Sequence, residues 1–194
     1  MSDRPDVDRA VAAAERLFNA RGVQGVGMDA IRDESGVPLK RLYREFPSKA
    51  DLLNAVLAKR DKDVRTAIAK FVEDNAASTA PRDGLLAVFD YLAHWFADPD
   101  FRGCMFLNTA GELGGTSEAV LTVGRHHKQA LRDQLAGLVA AAGLPEVLAD
   151  QLMILANGAM ATAALQGTPE TAGQARAAAA VLIDAAAAGG PERG

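Results

Sequence analysis

Gly36–Leu53 reads GVPLKRLYREFPSKADLL and puts Lys40, Arg41, Arg44 and Lys49 against only Glu45 and Asp51. At about 100° per residue, Leu39, Leu42 and Phe46 share one arc of a helix, while Lys40, Arg41, Tyr43 and Arg44 share the opposite one. The spacing predicts a short helix over 39–45. Pro47 ends it, because the residue before a proline is pushed out of the helical region. Ser48 then suits the N-cap of a long helix, with Asp51 as an acidic first-turn partner. One side of the short helix is built for a core. The other offers cations and a phenol to whatever lies outside.

Working outward, residues 28–35 form a second short helix anchored by Ile31. Residues 6–21 form a first, with Val7, Val11, Ala14 and Phe18 at helical spacing and Gly22 ending the pattern. A loop holding Gly22, Gly25 and Gly27 joins them. Gly36-Val37-Pro38 is a tight break between the short helices at 28–35 and 39–45, and two short helices joined by a tight glycine-containing turn make a helix-turn-helix unit. Such corners occur in many helical bundles, so the pattern alone is weak; the cationic third helix strengthens it. Arg and Lys neutralise phosphates or fork onto guanine edges, and a Tyr hydroxyl bonds a phosphate. Lys49 falls in the first turn of the long helix, where free N–H groups and an ammonium can both meet a phosphate. The bland alternative is a solvated basic face.

Charge distribution favours the polyanion reading. The chain of 194 residues carries a net charge of −4. Residues 1–60 hold 11 Lys and Arg against 9 Asp and Glu, a net of +2, whereas residues 61–194 hold 10 against 16, a net of −6. A polyanion is drawn to the first third and repelled by the rest.

Composition bounds the class. Alanine and leucine are abundant and β-branched runs are short, which favours helices. No stretch of about 18 uninterrupted apolar residues is present, so no membrane span is expected. The charged N-terminus lacks the apolar region of a secretory signal. Cys104 is the only cysteine, which excludes an internal disulfide and a cysteine-rich zinc site. These features predict a soluble cytoplasmic helical protein.

Further helices are expected at 83–97, 102–113, 117–142, 145–166 and 168–188, after a long one ending near Asn75. Residues 76–82 read as a linker and 189–194 as a disordered tail. On the fifth helix Phe89 and Phe96 share a face, with Trp95 beside it. On the sixth, Met105, Asn108 and Glu112 align at i, i+3 and i+7. On the seventh, His127 and Leu131 share an inward face and His126 points away. Asn108, Glu112 and His127 are candidates for the few polar groups of an apolar ligand cavity; the alternative is a satisfied network in a filled core. Adjacent histidines point about 100° apart, a poor metal pair. No phosphate loop or nucleophile elbow is present, so no catalytic residue, metal or cofactor is assigned.

The segments MDAIRDESGV and PLKRLYREFPSKADLLNAVL resemble the DNA-binding domain of TetR-type transcriptional regulators. The resemblance is carried by Gly36-Val37, Leu42-Tyr43, Phe46 and Ser48-Lys49, over roughly residues 7–57. It implies an all-α fold of about nine helices. Residues 1–47 would form a three-helix helix-turn-helix domain; residues 48–194 would form a long connecting helix plus an effector-binding and dimerisation domain. It further implies a repressor that grips a palindromic operator in double-stranded DNA as a homodimer through its last two helices, released by a small, apolar effector. Lys40, Arg41, Tyr43, Arg44 and Lys49 would meet DNA. Phe89, Trp95, Phe96, Met105, Asn108, Glu112, His127 and Leu131 would meet the effector. The sequence departs from the family pattern at Pro38-Leu39-Lys40, at Gly27-Met28 and at Arg44-Glu45. Those departures keep a second reading open, a helical ligand-binding module that has lost sequence-specific DNA binding.

Overall fold

The computed structural model describes residues 4–75 and 80–188, and these form nine α-helices with no strand among them. They are α1 (Arg4–Arg21), α2 (Met28–Ser35), α3 (Leu39–Glu45), α4 (Lys49–Asn75), α5 (Pro81–Phe96), α6 (Met105–Leu113), α7 (Glu118–Ala141), α8 (Val147–Gln166) and α9 (Glu170–Ala188). The expected disordered tail at 189–194 and most of the expected linker lie outside the described residues.

Two compact units emerge. The first runs up to Asp63 and includes Met105–Arg125; the second takes Val64–Cys104 and the described residues from His126 onward. Helix α6 and the start of α7 therefore pack with the N-terminal helices.

In the first unit the apolar arcs do what their spacing requires. Ala10, Ala14 and Phe18 of α1, Ile31 of α2, Leu42 of α3 and Leu52, Leu53, Val56 and Leu57 of α4 are buried. Fully burying an Ile or Leu side chain contributes about 1.5–3 kcal/mol, so this small core depends on nearly every one of these residues. The turn between α2 and α3 follows from two residues. Gly36 takes φ 67°, a left-handed conformation that costs glycine nothing, and its N–H donates to Arg32 O. Pro38 O then accepts from Arg41 N and Leu42 N, starting α3. Phe46 is extended ahead of Pro47 and buries its ring. Ser48 caps α4 as its sequence predicts: its hydroxyl accepts from Asp51 N at 3.2 Å, and the Asp51 carboxylate accepts from Ser48 N at 2.9 Å. Glu15 on α1 accepts from Lys59 and Arg60, tying α1 to α4.

In the second unit α5 is buried along Gly84–Phe89 and again at Leu92 and Phe96. It packs against α9 and α8. Those two helices meet it with small residues, Ala149, Ala156, Ala159 and Ala163 of α8 and Ala172, Ala175 and Ala179 of α9, which permit close approach of the helix axes. By length and composition α8 alone among the described helices is apolar enough to cross a bilayer, yet one side of it is packed in this core.

Several boundaries differ from expectation. Helix α1 begins at Arg4 rather than 6, α9 at Glu170 rather than 168, and α5 at Pro81 rather than 83, so Pro81 and Arg82 of the expected linker are helical. Helix α6 begins at Met105 rather than 102, because Gly103 takes φ 83° and breaks the approach. Helix α8 begins at Val147 rather than at Pro145, whose carbonyl accepts from Leu148 N outside the helix proper.

Candidate nucleic-acid interface

Helix α3 is held by one side only. Leu42 is 1% exposed and Phe46 7%, whereas Tyr43 is 47% exposed. Lys40 and Arg44 are exposed beside Tyr43. The predicted cationic face therefore exists over these three residues, anchored from behind by the core. Arg44 donates through Nε and Nη2 to Glu45 Oε1 at 3.1 and 2.9 Å. This pair is solvent-exposed, so it is worth little and yields readily to a stronger anion.

Two of the five residues expected to meet DNA are engaged within the protein instead. Arg41 leaves the face. It is half-buried, and its Nε lies 2.7 Å from Asp6 Oδ2 on α1. Asp6 also pairs with Arg9. Lys49 is expected to offer its ammonium to a phosphate, but its Nζ donates to Val23 O and Val26 O, each at 3.0 Å. It ties the loop between α1 and α2 to the start of α4. The sequence spacing could not reveal either partner, because Asp6 and Val23 lie far away along the chain.

Among the candidate effector residues, Phe89, Phe96, Leu131 and His127 are buried in the second unit, and His126 is exposed, as their helical phases predict. Trp95 is half-buried and stacks edge-on against Phe101, with ring centroids 5.1 Å apart; Phe96 packs on the same ring at 4.8 Å. Met105, Asn108 and Glu112 belong to the first unit. Met105 is buried, but Asn108 is exposed, contrary to its expected place inside a cavity. Glu112 also departs from expectation. Its carboxylate accepts from the backbone N–H of Val23, at 2.9 Å, and from that of Gln24, and its carbonyl accepts from Gln24 Nε2 at 3.0 Å. These bonds commit it to the α1–α2 loop. Helical phase put it on a face with Met105; it could not show that a turn of backbone would arrive to meet it.

The chain matches known proteins in both parts. Residues 10–56 match the family model described as bacterial regulatory proteins, tetR family. Residues 81–179 match the one described as the tetracyclin repressor-like C-terminal domain. The HTH-type transcriptional regulator LmrA of Bacillus subtilis is 33% identical over 91 residues, 46% of this chain and 47% of that protein. The match thus spans about half the length of that curated relative. A TetR-family transcriptional regulator from Streptomyces coelicolor superposes with a TM-score of 0.85 at 28% identity, covering 94% of this chain and 96% of the other. A TetR transcriptional regulator from Chloroflexus aurantiacus does so with a TM-score of 0.78 at 28% identity, covering 92% and 94%.

Proposed function

This chain belongs to the TetR family of bacterial regulatory proteins, and from that premise we propose that it is a ligand-responsive transcriptional repressor. It binds a palindromic operator as a homodimer in the cytoplasm and is released by a small apolar effector. The observation that carries the reading is the two-sided character of α3. Lys40, Tyr43 and Arg44 are open to solvent while Leu42 and Phe46 are locked in the core. Such a helix enters a major groove with its cations toward phosphates and base edges.

A single helix-turn-helix unit grips DNA weakly, and dimers place two recognition helices about 34–36 Å apart. A second copy is supported by the outer face of α8. Val147, Gln151, Ile154, Gly158, Ala161 and Leu165 are all exposed and recur at alternating steps of four and three, the spacing of a helix–helix seam. Ile154 is 72% exposed and Leu165 89%, and Val181 on α9 is 68% exposed. Large apolar side chains in a row on a surface mark an interface.

For the effector, the residues available in the second unit are Phe89, Phe96, His127 and Leu131, all buried, and half-buried Trp95; a pocket opened among them would give an apolar ligand one polar contact. An effector that binds the DNA-free form better shifts the equilibrium by its difference in affinity, ordinarily about 1–3 kcal/mol in such switches. The relatives named above are transcriptional regulators, so an enzymatic reading has no support from them. The second reading, a ligand-binding module that no longer reads DNA, is favoured by one observation: Arg41 and Lys49 are occupied within the protein.

Selection from a random duplex pool at about 150 mM salt separates the two readings. Recovery of one palindromic motif supports the repressor; recovery of none by folded, ligand-free protein favours the module.

A further inference from the structure

The backbone of Val23 is held by two opposite charges. Its N–H donates to Glu112 Oε2 at 2.9 Å, and its carbonyl accepts from Lys49 Nζ at 3.0 Å. Gln24 N donates to the other Glu112 oxygen, Oε1, and Val26 O accepts a second bond from Lys49. The anion comes from α6 and the cation from the first turn of α4. Between them is the loop that delivers the chain from α1 to α2, the first helix of the helix-turn-helix. Gly22, at the loop's start, is shaped to this contact. It takes φ 74°, and a Cβ placed there would sit 3.2 Å from both carboxylate oxygens. The left-handed backbone favours glycine there, and any side chain would crowd the Glu112 carboxylate.

Beside the clamp lies a cleft of about 180 Å³. Val23, Gln24, Lys49 and Leu53 line one side, and Leu113, Ser117 and Val120 the other. Close-packed interiors resist relative motion. Here packing is open, and the hydrogen bonds of Glu112 join the end of α6 to the loop beside the cleft.

We propose that Glu112 is a positioning residue for DNA recognition: with Lys49 it clamps the α1–α2 loop, and so sets how α2 and α3 are presented to the operator. Neither residue touches DNA or effector. The inference rests on the regulatory reading above and adds the contact that joins α6 to the loop ahead of the helix-turn-helix.

Simple electrostatics and the clamp predict opposite signs. Removing a carboxylate from a DNA-binding protein reduces repulsion and should leave affinity equal or raise it. The clamp requires a loss. Glu112→Gln keeps the side-chain length but puts an NH2 group against one of the two backbone donors. Lys49→Met keeps the stem but removes the ammonium.

Binding is measured to the duplex recovered by selection, across a salt series, with amide hydrogen exchange on the free proteins. Glu112→Gln should weaken binding by about 5- to 150-fold with an unchanged salt slope, and speed exchange at Val23 and Gln24 while Leu42 and Leu52 stay protected. Lys49→Met should also weaken binding at unchanged slope. Equal or tighter binding by Glu112→Gln overturns the proposal. So does a fall in slope of about 0.9 for Lys49→Met, which marks a phosphate contact. Faster exchange throughout the core would reduce Glu112 to a stability role and overturn it equally. Failure of the parent chain to bind any duplex overturns the regulatory reading itself and the positioning role with it; a parent that binds normally beside an unaffected Glu112→Gln overturns the positioning role alone.

Discussion

Arg41 Nε lies 2.7 Å from Asp6 Oδ2, which ties the helix bearing the cationic face to the first turn of α1. Both side chains are largely withdrawn from water, at 26% and 15% exposure. Exposed ion pairs contribute roughly 0–1 kcal/mol and breaking buried ones costs about 3–5. Asp6→Asn should therefore destabilise the chain by an intermediate amount, about 1–2 kcal/mol. Urea unfolding measures this directly. Arg41→Lys should recover part of the pair's contribution, since an ammonium keeps the charge but not the position of Nε. A change of operator preference in Arg41→Ala, at unchanged stability, would return Arg41 to the base-reading role that its helical phase suggested.

Lys40, Tyr43 and Arg44 are the exposed groups of α3, and they should separate by salt dependence. Each phosphate contact removed lowers the slope of log K against log salt by about 0.9. Arg44→Ala and Lys40→Ala should each do so and weaken binding to all duplexes alike. Tyr43→Phe removes only a neutral hydroxyl. It should cost about 0.5–1.5 kcal/mol of binding with no change of slope. Glu45→Gln should tighten binding, because Glu45 now pairs with Arg44 and also repels phosphate. Fluorescence anisotropy at several salt concentrations reads all four variants.

What was legible in the sequence was whatever depends on short spacing. Leu42 inward with Tyr43 outward, the Ser48–Asp51 cap, the glycine turn at Gly36 and the phases of His126 and His127 all follow from residues within one or two helical turns. They agree with the structure because periodicity and capping are local physics. What was not legible is long-range pairing. Glu112 meets Val23 and Gln24, Lys49 meets Val23 and Val26, and Arg41 meets Asp6. In each case a charged side chain with an unremarkable helical phase is claimed by a group distant in the chain. A wheel can say which way such a side chain leaves the helix. It cannot say what waits there, and so three residues expected at functional surfaces were found binding the protein itself. Gly103 is the local counter-example: its left-handed backbone delays to Met105 a helix expected to start at 102.

Acid should loosen the second unit in a defined window. Arg82 Nε and Nη2 donate to Asp184 at 2.8 and 3.1 Å, joining α5 to α9, and this hydrogen bond holds the Asp184 carboxyl below the usual carboxylate range. Arg132, on α7, does the same for Asp150 of α8. A carboxyl whose pKa is lower folded than unfolded adds stability above its unfolded value, about 3.9, and loses it as pH falls through the folded value. Thermal midpoints of parent and Asp184→Asn should therefore differ at pH 7 and draw together as pH falls below about 3.9. Both groups face solvent, so the gap should be small and should shrink in high salt. A gap that persists unchanged at pH 3 would mean that Asp184 acts by packing, not by charge.

The outer stripe of α8 yields the last test. Leu148 and Leu152 are fully buried in their own chain, while Ile154 and Leu165 stand out from it. A residue of the first kind supports the fold; one of the second supports whatever covers α8. Leu152→Ala should cost about 2–5 kcal/mol of stability. Ile154→Ala should leave stability of the isolated chain nearly unchanged, because its side chain is already in water there. If a second copy covers the stripe, the same change forfeits burial of roughly 1.5–3 kcal/mol on each side of the interface. Self-association should then weaken by at least about tenfold, and Ile154→Glu should abolish it by placing a carboxylate in an apolar seam. Light scattering across a dilution series reads the oligomer, and the same samples titrated with the palindromic duplex read the consequence. A monomeric variant should bind a half-site as the parent's single unit does, yet lose the steep dependence on the second half-site. Retention of full palindrome affinity by a strictly monomeric Ile154→Glu would separate DNA binding from this face altogether.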